Sequence, residues 1–276
     1  MTHAAPRLIG VVHLPALPGA PSFPRGAVEA QLAALADRVR LDVATLARAG
    51  FDAVVLENFG DAPFVPDRVE PITIAAMTRC ALAAREASEL PLIINVLRND
   101  ALAALAIAIA TGARWIRVNV HVGAAVTDQG LVQGRAHETL RARRAWGGDE
   151  PGAPAVGVWA DVDVKHAAPL APRPIADVAH DTATRGSVEA LIVTGAATGA
   201  AADPRTVEEV AKAVERDAMP ILIGSGAAPE RLGALHAAGA HGVIVGSWLR
   251  ADGRAGGPID FDRSATFAAA FRRVFD

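Results

Sequence analysis

The sequence predicts a single (β/α)₈ barrel on three observations: eight short apolar runs, an alanine-rich helical stretch after each, and a length of 276 residues, near the ~250 usual for that fold. Continuous apolar runs read as strands buried on both faces, and their alternation with helices reads as a parallel sheet joined by right-handed crossovers. Eight units favour closure. An open doubly wound sheet would carry glycines in G-x-G-x-x-G spacing at its first turn; here that turn is Leu14-Pro15-Ala16-Leu17-Pro18-Gly19.

The first strand is read over 8–13, closed by a turn-rich segment from Pro15 to Gly26 and followed by a helix over 27–49 that stops at Gly50. The same pattern places strands at 53–56, 92–96, 115–120, 156–164, 190–194, 221–224 and 242–245. The helices that follow them fall near 71–88, 100–111, 134–145, 174–185, 204–216, 229–238 and 263–273. Asn99-Asp100 opens the third helix with residues suited to an N-cap. Residues 1–276 thus read as one barrel domain.

Composition narrows the function classes. With 51% apolar and 21% charged residues the chain can bury a large core and is not intrinsically disordered. A net charge of −3 gives no electrostatic footprint for nucleic acid. No stretch reaches the ~20 apolar residues a membrane span needs, and no secretion signal opens the chain, so a cytoplasmic location is expected. The lone cysteine, Cys80, lies within a predicted helix and is expected to pack in the core. A homo-oligomer is compatible with the sequence, although no segment marks a self-association surface.

In a closed parallel barrel the chemistry sits at the C-terminal strand ends. Two glycine-rich turns there, Gly224-Ser225-Gly226 and Gly246-Ser247, let main-chain N–H groups approach an anion and point to a phosphorylated ligand; Gly195, with Gly199 beyond it, is placed to close the cradle from the other side. The alternative is that these glycines only make tight turns. Asp161, Asp163 and Lys165 alternate along the fifth strand, and a period of two puts them on one face toward the mouth. Two carboxylates and an amine there would supply an acid, a base or an imine-forming nucleophile; the alternative is an ion pair that fills the top of the barrel. Glu57, ending the second strand, is a further base.

Asn58, Asn95 and Asn119 offer donors and acceptors for hydroxyls or carbonyls, or else tie down their own loops, and His13, His121 and Thr194 complete the substrate-facing set. His13, Glu57, His121, Asp161 and Asp163 are also the residue types that hold Mg, Mn or Zn, though no tight ligand spacing marks a metal site.

These same residues resemble the BtpA/SgcQ family from about residue 8 to residue 263. The likeness rests on His13-Leu14-Pro15 with Pro18-Gly19, on Glu57-Asn58-Phe59-Gly60-Asp61-Ala62-Pro63-Phe64, and on Asn95-Val96-Leu97-Arg98-Asn99-Asp100. It continues through Arg117-Val118-Asn119-Val120, Thr127-Asp128-Gln129-Gly130, Ala160-Asp161-Val162 with Lys165-His166, Thr194-Gly195, Gly224-Ser225-Gly226, Val245-Gly246-Ser247 and Asp252-Gly253. The resemblance implies a (β/α)₈ barrel, named in cyanobacteria for the build-up of photosystem I and elsewhere associated with sugar-utilisation genes. The chain departs from the family pattern at Arg231, where asparagine is expected, and at His121, where an aromatic is expected.

Three functional expectations follow. The first is an enzyme acting on a phosphorylated sugar or nucleoside-like molecule by isomerisation, epimerisation, aldol cleavage or glycosidic-bond chemistry. The second is a non-catalytic factor for assembling a membrane complex, docking through exposed aromatics such as Trp146 or Trp248. The third is an FMN enzyme, because FMN-binding barrels also seat the cofactor phosphate on the last two strand turns.

Overall fold

All eight predicted runs form strands, and they pair in parallel around a complete circle. The computed structural model describes residues 6–150, 155–164, 166–195, 201–215 and 218–276. The barrel strands are β1 (Leu8–His13), β2 (Ala53–Glu57), β3 (Leu92–Asn95), β4 (Trp115–Val118), β7 (Gly157–Val162), β9 (Ala190–Val193), β10 (Ile221–Ile223) and β11 (Gly242–Val245). Their order is β1-β11-β10-β9-β7-β4-β3-β2, closed on itself. Around them lie α1 (Val28–Arg48), α2 (Pro71–Ala87), α3 (Ala101–Thr111), α4 (Ala136–Ala145), α5 (Ile175–Thr184), α6 (Pro204–Val214), α7 (Leu232–Ala237) and α8 (Phe261–Phe275). The chain is a (β/α)₈ barrel.

One feature lies outside the sequence-based expectation. Strands β5 (Ala124–Thr127), β6 (Gly130–Gln133) and β8 (Ala167–Pro169) make a separate antiparallel sheet in the order β6-β5-β8. Its inner face, with Ala125 and Val132, packs on Val120 and Val164 in a small core of its own. Each of its strands is only three or four residues long, too short for a hydrophobic pattern to register before the register is known.

The apolar side chains sort into two groups by the alternation of the strands. A shell between strands and helices holds residues such as Val12, Leu56, Ile94, Ile116 and Val193. The barrel interior holds Ile9, Val11, Ala53, Val55, Ile93, Trp159, Ile192, Leu222 and Ile244, with Trp115 packed against them. The Trp115 and Trp159 rings lie 5.0 Å apart. The barrel is therefore a filled core.

Helix ends behave as the sequence implies at several points. The Asp100 carboxylate accepts from Ala103 N at 2.9 Å and caps α3, and Gly112 closes that helix at φ 72°. Cys80 is buried on α2, and its burial pushes the thiol up to about 12. Among the described residues no helix is long and apolar enough to cross a membrane.

Candidate active site

Two residues beyond each interior apolar position, the strands present one further inward ring. The step from Val11, Val55, Ile93, Trp115, Trp159, Ile192, Leu222 and Ile244 leads to His13, Glu57, Asn95, Arg117, Asp161, Thr194, Gly224 and Gly246. The ring is polar on one side and bare on the other. A Cβ on Gly224 would stand 2.5 Å from Ile192 Cγ2, 3.0 Å from Thr194 Cγ2 and 3.2 Å from Arg117 Nη2, and one on Gly246 would stand 2.8 Å from His13 Cε1. The two glycines keep the interior open where the other strands fill it.

The resulting cavity, about 210 Å³, is bounded by His13, Glu57, Arg117, the 224–228 turn, Gly246-Ser247-Trp248 and Arg263. Among the described residues, the main-chain N–H groups of Gly226, Ala227, Ser247 and Trp248 have no acceptor. Arg263 lies with its guanidinium 4.5 Å over the Trp248 ring and donates Nε to Trp248 O at 2.7 Å. Its Nη atoms have no acceptor among the described residues. Unpaired amides and a held guanidinium facing one cavity are the elements of an anion site.

Glu57, on β2 and two strands round the barrel from β11, is only 5% exposed yet lines the same cavity, and its carboxylate accepts no hydrogen bond among the described residues. His13 is its register partner on the adjacent strand, with its ring 4.6 Å from that of Phe59 and tilted 52° to it. Arg117, only 3% exposed, places Nε 2.9 Å from Asp161 Oδ1 and Nη2 3.0 Å from Asp161 Oδ2. Asn119 Nδ2 adds a third bond to Asp161 at 2.9 Å. Burial works against the Arg117 charge, but the Asp161 carboxylate, with Glu57 nearby, outweighs it and holds the guanidinium above its ordinary value.

The predicted residues divide sharply. His13, Glu57, Gly224, Ser225, Gly226, Gly246 and Ser247 share the 210 Å³ cavity. Asp161 does not stand there as a free acid, because Arg117 and Asn119 take up both its oxygens. The predicted alternation of Asp161 with Asp163 ends where the strand does, at Val162, and Asp163 takes φ 53°. Asp163 instead borders a second cavity together with Thr194 and Gly195, and burial raises its pKa. Lys165 and Gly199 lie outside the described residues.

The Gly195 amide, expected to face a phosphate, donates to Ser225 Oγ at 2.7 Å and so joins two strand ends to each other. Asn58 turns away from the interior: its amide donates to Asp61 Oδ2 and to Leu97 O, and its oxygen accepts from Leu97 N at 2.6 Å. Asn95 donates to Arg117 O and to Asn119 Oδ1, and its own Oδ1 has no partner among the described residues. His121 is buried with Nε2 3.0 Å from Gly186 O and lines neither cavity; burial lowers its pKa. Among the described residues no three of His, Cys, Asp and Glu gather as a metal-holding group, so the five proposed metal ligands are not brought together.

Two residues escaped the sequence reading. Arg117 is a charge inside an apolar run, two positions after an inward Trp115, and that spacing marks it as interior. Arg263 is a cation in the first turn of α8, where the helix dipole disfavours one; that misplacement was the available signal.

Fold and inner ring together define a (β/α)₈ barrel protein with a polar, partly open C-terminal mouth. The chain belongs to the BtpA family, whose model matches residues 4–273. The photosystem I biogenesis protein BtpA of Synechocystis sp. is 41% identical over 263 residues, covering 95% of this chain and 87% of that protein. An uncharacterized protein of Thermococcus kodakarensis is 41% identical over 257 residues, covering 93% and 92%. Among solved structures, thiamine phosphate pyrophosphorylase from Pyrococcus furiosus is similar at a TM-score of 0.56 and 10% identity, covering 98% of this chain and 97% of that one. N-(5'-phosphoribosyl)anthranilate isomerase from Pyrococcus furiosus is similar at a TM-score of 0.53 and 13% identity, covering 97% and 100%. At those identities the likeness speaks to the fold alone.

Proposed function

We propose that the protein is an enzyme acting on a small phosphorylated molecule. The phosphate sits on the Gly226, Ala227, Ser247 and Trp248 amides beside Arg263, and Glu57 faces the reacting carbons. The observation that carries this reading is the 210 Å³ cavity itself, lined by amides, guanidinium Nη atoms and a carboxylate that have no hydrogen-bond partner there among the described residues. Its size lies below the ~300–1,000 Å³ of sites for drug-sized ligands, which fits a phosphate with a short carbon chain. A carboxylate shielded from water and lacking donors is a base for a carbon- or oxygen-bound proton, and His13 on the neighbouring strand is placed to return it. Arg117, fixed by Asp161, supplies positive charge for an oxygen that gains negative charge during the reaction. Such steps belong to isomerisation, epimerisation or carbon–carbon and glycosidic-bond cleavage of a sugar phosphate. If Lys165 joins them as an imine-forming amine, borohydride reduction with the carbonyl substrate adds mass at that residue.

Calorimetry with ribose 5-phosphate and inorganic phosphate tests the reading. Both bind the wild type, Ser247→Asp abolishes both through charge repulsion, and Glu57→Gln leaves both. Equal affinities in wild type and Ser247→Asp would remove the anion site.

One observation favours docking onto another protein or a membrane complex instead. On the outer face of the small sheet Val126 and Leu131 are paired across β5 and β6 and are 48% and 47% exposed. Of the aromatics expected to dock, Trp248 lies in the cavity wall instead, under Arg263. Membrane-fraction association that survives high-salt washing, persists in Ser247→Asp and is lost in Val126→Lys would favour this second role.

A further inference from the structure

The mouth holds a second chamber of about 620 Å³, larger than the first, between the small sheet, α5 and the end of β9. Its wall is apolar over Val122, Ala125, Val164, Ala167, Leu170 and Val178. Its charged residues are of the opposite balance to the first cavity. Asp161 is already held by Arg117, and Asp181 is paired with Arg173 at 2.7 Å. Asp163 has no ion-pair partner among the described residues. Among the described residues, an anion placed there would meet the unpaired Asp163 carboxylate, whereas an uncharged or basic ring would meet apolar walls and that acceptor.

A third space of about 60 Å³ lies beside both: it shares Glu57 and Arg117 with the first cavity and Asn119 and Val164 with the second. The shared walls put the three spaces next to one another along the mouth, so a ligand seated on the amides at 226–227 and 247–248 would pass Glu57 to reach the chamber. We infer that the chamber is a binding site for an uncharged or basic planar ring carried by the phosphorylated substrate, so that the substrate class is a ring-bearing sugar phosphate of nucleotide type, with Glu57 beside the sugar. The small sheet has a function under this assignment: its inner face supplies Ala125 and Ala167 to the chamber wall, which the barrel strands alone do not reach. The inference rests on the phosphate reading for one end of the ligand only.

The test uses AMP, ribose 5-phosphate and adenosine against the wild-type protein and two variants that fill the chamber from different elements, Ala171→Trp beyond β8 and Thr206→Tyr on α6. AMP is expected to bind the wild type about tenfold or more tighter than ribose 5-phosphate. Each filling variant is expected to remove that advantage, with ribose 5-phosphate binding and the thermal unfolding midpoint unchanged. Adenosine is expected to bind weakly to the wild type and not to the variants. Equal affinities for AMP and ribose 5-phosphate in the wild type, or an AMP advantage that survives both fillings, would overturn the chamber assignment while the phosphate reading stands. Loss of ribose 5-phosphate and phosphate binding in the wild type, with adenosine still displaced by Ala171→Trp, would overturn the phosphate reading and keep the chamber.

Discussion

The β2–β4 side of the mouth and the β10–β11 side are built from opposite materials. On the first, polar side chains dominate, and nearly all of them hold one another: Asn58 ties the β2 loop to the β3 loop, Asn95 bonds to Asn119, and Asn119 and Arg117 clasp Asp161. On the second the strands end in glycines, and among the described residues the main-chain N–H groups of Gly226, Ala227, Ser247 and Trp248 have no acceptor. Polar residues at strand ends thus mark structure as readily as chemistry, and the open site is made where side chains are missing. Arg250 supports that openness from behind, donating to Gly246 O at 2.6 Å and Val11 O at 2.8 Å; burial lowers its pKa to about 10.

Cutting the filled side should have the largest effect. Asp161→Ala strands a buried guanidinium and is expected to cost ~3–5 kcal/mol of stability, measured by urea unfolding. Replacing Arg117 and Asp161 together by leucine should recover part of that loss, since no charge is then left uncompensated. A cost below ~1 kcal/mol for Asp161→Ala would mean the pair is hydrated and the two sides differ less than argued.

Filling the bare side should cost less but remove binding. Gly224→Val sets a Cβ within 2.5 Å of Ile192 and 3.2 Å of Arg117, an overpacking worth ~1–3 kcal/mol. Ribose 5-phosphate binding should fail in this variant although the fold persists by circular dichroism.

The smallest effect concerns His121, which the sequence placed at the mouth and the structure places against Gly186. Burial lowers its pKa, the Gly186 carbonyl opposes that, and Arg143 adds to it. The folded protein disfavours the protonated ring, whereas the unfolded chain takes up a proton near pH 6.5. The unfolded state then binds more protons as pH falls, so the stability from this site is present above about pH 6.5 and declines below it. Urea midpoints in wild type should fall between about pH 7.5 and pH 5.5, and less so in His121→Phe.

Sequence reading captured the barrel because burial on both strand faces leaves continuous apolar runs, and every one of the eight became a strand. The glycines at 224–226 and 246–247 stood out in the sequence as turns at strand ends, but the crowding by Ile192 and His13 that excludes a Cβ at Gly224 and Gly246 is visible only in the structure. Sequence reading missed Arg117 and Arg263 because the signals they carry, two positions after an inward Trp115 and in the first turn of α8, can be read only once the strand phase and the helix start are fixed. It overextended the Asp161–Asp163 alternation because nothing local announces that the strand stops at Val162. The small sheet was invisible because its pairing joins residue 125 to residue 169, far apart in the chain.

The central claim is that the bare side of the mouth is an anion site. Crystals grown with inorganic phosphate test it most directly. Density for the anion is predicted within hydrogen-bond reach of the Gly226, Ala227, Ser247 and Trp248 amides and an Arg263 Nη atom. Its absence there at saturating phosphate, or a bond from any of those amides to protein instead, would contradict the claim.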